Sequence, residues 1–94
     1  MSDLIETDEI PKWLKKVPEW DVEGESIHRL FEFDEFMEAI EFVNDVAEIA
    51  EDAEHHPDID IRWNKVTLML TTHSEGGLTE NDFELARKID NLVD

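Results

Sequence analysis

The chain is predicted to adopt an α+β fold of order helix-β-β-helix-β-β-helix, a four-stranded antiparallel sheet with helices packed on one face. Two observations predict this. Two stretches of apolar alternation are each split by a short polar turn, the mark of a hairpin, and each is followed by a longer stretch with apolar residues at helical spacing. Hairpins segregated from helices place the helices on one side of an antiparallel sheet.

The elements follow in order. Thr7 is placed to cap a short helix through about Lys15, with Pro11 in its first turn and Ile10, Trp13, Leu14 and Val17 on its apolar side. Pro18 ends it. Trp20 to Val22 and Ser26 to Phe33 read as two strands around Glu23-Gly24-Glu25, and on the second Ile27, Arg29, Phe31 and Phe33 alternate with His28, Leu30 and Glu32. Asp34 is a suitable N-cap for a helix over residues 35 to about 54, whose apolar stripe is read as Phe36, Ile40, Val43, Ala47 and Ala50. Pro57 disfavours helix at the residue before it. Ile59, Ile61 and Trp63 then alternate on one strand and Val66, Leu68 and Leu70 on the next, joined across Asn64-Lys65. After Gly76-Gly77, Thr79 begins a last helix that buries Phe83, Ala86, Ile89 and Val93.

Composition bounds the function. With 94 residues, the chain is expected to form a single domain over 1–94, with a shallow pocket or one completed by a second copy. There are no cysteines, so disulfides and thiolate metal sites are excluded. The polar first residues and the lack of a long apolar stretch point to a soluble, cytoplasmic protein. Acidic residues number 26 against 8 basic, a formal net charge of -18, and a surface so negative repels a phosphate backbone. No nucleic-acid or membrane partner is expected. The acidic residues are spread along the chain, which suggests a high-salt cytoplasm where self-repulsion is screened.

Chemistry concentrates around three of the four histidines. With the turn centred on Asn64-Lys65, Trp63 faces Val66, Ile61 faces Leu68 and Ile59 faces Leu70, all apolar pairs that a one-residue slip would destroy. The same register sets Asp58 against Thr71 and His56 opposite His73, with Cβ atoms about 5 Å apart. His55, His56 and His73 therefore gather on one polar edge beside a helix end. Imidazole exchanges protons near neutral pH, so the cluster reads as an acid-base site. Glu51 lies one turn before His55 and, on a continuous helix, shares its face. Glu51 also has the plainer reading of a solvated charge, although negative charge at a helix C-terminus opposes the macrodipole. Asp82, three residues after Thr79, fits a capping-box variant. His28 is read as a surface histidine, Trp63 as a core aromatic, and Trp13 and Trp20 as packing residues.

Glu51, three residues, His55-His56-Pro57, five residues, Trp63, nine residues, His73, eight residues and Asp82 form a spacing that resembles the pterin-4a-carbinolamine dehydratase family. Asn64-Lys65-Val66, Thr72-His73, Gly77-Leu78-Thr79-Glu80 and Trp20 extend the resemblance over nearly the whole chain. Ile59 stands where some members carry an aromatic residue. The resemblance implies a hydro-lyase that dehydrates 4a-hydroxytetrahydropterin to quinonoid dihydropterin, with no metal or organic cofactor. His55 and His73 would be its acid-base pair, His56 would chiefly bind the pterin, and Glu51 and Asp82 would position substrate or histidines. It also implies a homodimer or homotetramer, to which the edge strands offer a pairing surface. Rival readings are a non-enzymatic dimerisation or regulatory module, or action on another pterin, as in molybdopterin metabolism. A zinc site of His55, His56, His73 and Asp58 is disfavoured, because adjacent histidines on an extended segment point apart.

Overall fold

The computed structural model describes residues 3–93. A 3-10 turn over Thr7–Glu9 leads into α1 (Ile10–Leu14), followed by β1 (Asp21–Glu23), β2 (Ser26–Glu32), α2 (Phe36–Ala53), β3 (Asp58–Arg62), β4 (Lys65–Leu70), a 3-10 turn over His73–Glu75, and α3 (Glu80–Val93). The four strands form one antiparallel sheet in the order β1-β2-β4-β3. This is the α+β architecture expected. The first helix departs in detail: no side chain caps the turn at Thr7, and Pro11 sits at the start of α1, where its missing N–H costs nothing. At α2 the N-cap position is Glu35 rather than Asp34, and no side chain caps it.

Alternation on β2 sorts its residues as the period of a strand requires. Ile27 pairs with Leu70 and Phe31 with Val66, and all four are buried. Between them Arg29, opposite Leu68, points its guanidinium at Asp90 of α3, with Nη1 2.6 Å from Oδ1, and lies 4.3 Å from the centre of the Phe31 ring. The Trp20 indole Nε1–H donates to the same Asp90 oxygen at 2.8 Å. One buried carboxylate thus joins the segment before β1, the central strand β2 and the last helix, a role the sequence reading missed. Phe31 and Phe42 meet at 4.7 Å between ring centres, fixing α2 on the sheet.

The buried face of α2 is Ala39, Phe42, Val46 and Ala50. Of the predicted stripe only Ala50 is fully buried; Ile40 and Val43 are partly covered, and Phe36 and Ala47 are exposed. Both sets obey helical spacing, and the aromatic packing of Phe42 decides which face turns inward. On α3, Phe83, Ala86 and Ile89 are buried as expected, whereas Val93 near the chain end stays 40% exposed.

The second hairpin is displaced by two residues from the expected register. Ile61 faces Val66 and Ile59 faces Leu68, and the turn comprises Trp63 and Asn64. A two-residue slip preserves which side chains share a face, so the apolar pattern is satisfied equally by either pairing. Asn64 settles the choice: its Nδ2–H donates to the Phe33 carbonyl at 2.7 Å, and the Phe33 N–H donates to the Asn64 carbonyl at 2.9 Å. That tether fixes the turn against the end of β2. Trp63 is consequently no core residue. It is 70% exposed and takes a left-handed backbone (φ 53°) at the turn. Ile59 and Ile61, on the edge strand β3, are each 39% exposed.

Candidate active site

α2 ends at Ala53, and Glu54 reverses the chain with φ 54°. The His55 N–H still reaches back to the Ala50 carbonyl at 3.1 Å, but His55 itself is off the helix. The expected Glu51–His55 pair is therefore absent. His55 swings inward, where its Nε2 lies 2.5 Å from Asp82 Oδ1, while Glu51 Oε1 lies 2.5 Å from Nε2 of His56. The first pair is 15% and 0% exposed, the second 63% and 76%.

Asp82 is fully buried in the first turn of α3, so its charge requires partners. It has them on both oxygens. Oδ2 accepts from the Thr79 backbone N–H at 2.9 Å and from the Thr72 hydroxyl at 2.9 Å, and Oδ1 faces His55. The Thr79 contact is the side-chain half of a capping box, as expected. The same carboxylate therefore starts a helix and holds an imidazole. Thr72 belongs to the Thr72-His73 part of the family resemblance but has no site role in the sequence, and only the fold brings its hydroxyl to Asp82.

His73 does not face His56. Strand pairing of β3 with β4 ends at Asp58–Met69, and beyond Leu70 the chain turns into the His73–Glu75 3-10 turn, so the expected cross-strand histidine pair does not form. Thr72 instead bridges to Gly77, with Thr72 N–H to Gly77 O at 2.9 Å. Gly76 closes this turn at φ 77°, a conformation that favours glycine. His73 thereby lines an open cleft of about 390 Å³ with Glu25, Ser26, Asp58, Met69, Thr71 and Gly76. His55, His56 and Asp58 precede or begin β3, and His73 follows β4, so all stand at the same end of the sheet. His55 is connected to His73's neighbour Thr72 through Asp82. Among the described residues, no group of three or more His, Asp or Glu side chains is placed to hold a metal ion. No helix among them is long and apolar enough to cross a membrane.

At one end of this α+β domain stand the His55–Asp82 and His56–Glu51 pairs and a third histidine, His73, lining a cleft. The chain belongs to the pterin 4 alpha carbinolamine dehydratase family, whose pattern matches residues 3–92. It is 48% identical over 90 residues to a protein of Mycobacteroides abscessus named "Putative pterin-4-alpha-carbinolamine dehydratase", covering 96% of each chain. A protein of the same name from Haloarcula marismortui is 45% identical over 94 residues, the full length of both. The crystal structure titled transcriptional coactivator/pterin dehydratase from Brucella melitensis superposes with a TM-score of 0.92 at 35% identity, covering 98% of this chain and 100% of that one. A pterin dehydratase-like protein described as a RuBisCO assembly factor in the alpha-carboxysome shares the fold at a TM-score of 0.67 and 22% identity, covering 78% of this chain and 87% of that one.

Proposed function

We propose that this protein is a hydro-lyase that converts 4a-hydroxytetrahydropterin to quinonoid dihydropterin by histidine acid-base catalysis. The observation that carries this reading is the buried Asp82–His55 pair at the sheet end where His73 lines a cleft. Dehydration needs one group to protonate the departing 4a-hydroxyl and another to take the proton from ring N5. The hydroxyl leaves as water, and the N5–H bonding pair becomes the new carbon-nitrogen double bond. His55 and His73 form this pair: one ends the step deprotonated and the other protonated, and proton exchange with solvent water resets both. His56, on the exposed side and paired with Glu51, binds the pterin, and Asp82 positions His55. Acid-base catalysis of this kind contributes about 10²–10⁴-fold.

The test is the dehydration of chemically generated 4a-hydroxytetrahydrobiopterin, measured at high salt for wild type, His55→Ala and His73→Ala. A fast wild type with both variants reduced by about 10²-fold or more is expected. A folded wild type that gives only the uncatalysed rate sinks this substrate.

The reading extends to a cytoplasmic homo-oligomer working in high salt. Ile59 and Ile61 on the edge strand β3 support self-pairing, since an open strand edge with exposed apolar residues is a template for a second copy. Sedimentation at working salt should give a dimer or larger; monomer alone refutes it.

A further inference from the structure

We infer that the cap of α3 dictates which nitrogen of His55 works: Nε2 keeps its proton on Asp82, and Nδ1 is the atom that exchanges a proton with substrate. The inference rests on the dehydratase reading for the identity of that substrate, and on geometry alone for the tautomer. Among the donors around Asp82, one is fixed in direction. The Thr79 backbone N–H, 2.9 Å from Oδ2, cannot turn. Because an ionised carboxylate only accepts, the Thr72 hydroxyl must donate to Oδ2 at 2.9 Å. The Thr79 hydroxyl, 2.8 Å from that of Thr72, must then donate to it. Every proton in the chain points towards Asp82, which leaves Oδ1 to accept Nε2–H from His55 at 2.5 Å. In a neutral imidazole the other nitrogen is then the acceptor. When Nδ1 takes a proton, the imidazolium retains its Nε2–H bond to a carboxylate already oriented by two donors, the Thr79 N–H and the Thr72 hydroxyl. Thr72 and Thr79 are thus positioning residues, one step removed from the reacting ring.

The arrangement makes an unusual prediction for Asp82→Asn. The new amide must aim its carbonyl at the Thr79 N–H, which turns its NH2 toward His55 Nε2. The ring can then only accept there, and its proton moves to Nδ1. In the serine-protease triad the corresponding Asp→Asn change leaves the geometry intact, traps the wrong tautomer and costs about 10⁴-fold in kcat. The experiment is a long-range ¹H–¹⁵N spectrum of the histidine rings in buffer alkaline enough to keep imidazole neutral. Wild type should show His55 with Nε2 protonated, and Asp82→Asn should show it with Nδ1 protonated. Exchange of the Nε2 proton with solvent should accelerate, up to about tenfold, in Thr72→Val but not in Thr72→Ser, which restores the hydroxyl. A wild-type ring protonated on Nδ1, an Asp82→Asn ring still protonated on Nε2, or equal exchange in the two Thr72 variants would overturn the inference. The spectra need no substrate. A wild type with the expected tautomer but no dehydration would sink the dehydratase reading and leave the tautomer assignment standing.

Discussion

His55 and His56 are adjacent in the chain and each holds a carboxylate at 2.5 Å, yet one pair is buried and the other lies in solvent. The difference teaches that contact distance does not set the value of an ion pair; surroundings do. Around Asp82–His55 there is little water to compensate a lost partner, so removal of either side strands a buried polar group. Around Glu51–His56 water replaces whatever is lost, and salt screens what remains.

The largest effect expected from this contrast is on folding. Asp82→Ala removes the acceptor of Thr79 N–H, Thr72 O–H and His55 Nε2–H together. It should cost roughly 3–5 kcal/mol, the range for breaking a buried pair, read as a lower urea midpoint. A loss below about 1 kcal/mol would mean that water enters the site and that the burial contrast is illusory.

Glu51→Gln should do the least. Its stability cost is expected within about 0.5 kcal/mol, and it should vanish in molar potassium chloride, where exposed charges are screened. An effect as large as that of Asp82→Ala, or one that survives high salt, would show that Glu51 and His56 are covered in the working assembly.

Much of this fold is legible as pattern. The alternation of Ile27, Phe31, Val66, Leu68 and Leu70 finds the buried sheet face, because a strand's two-residue period assigns sides before any partner is known. Asp82 is legible as a cap through its spacing from Thr79. Its grip on His55 is not, since 27 residues separate the two and only the docking of α3 beside the end of α2 brings them together. The choice between two hairpin registers of equal parity likewise rests on Asn64 bonding to Phe33, 31 residues away. Asp90, at the meeting point of Trp20 and Arg29, resembles any other helix acid until the helix is packed.

By itself, then, the amino-acid order determined what is local: the order of the helices and strands, the sheet's inner face and the cap of the last helix. Tertiary structure decided the partners: which carboxylate each histidine holds, where the turn of the second hairpin falls, and which stripe of α2 is buried. The physical reason is that helical and strand periods are fixed by backbone geometry over a few residues, whereas a hydrogen bond between distant side chains exists only after packing has set the distance between their elements.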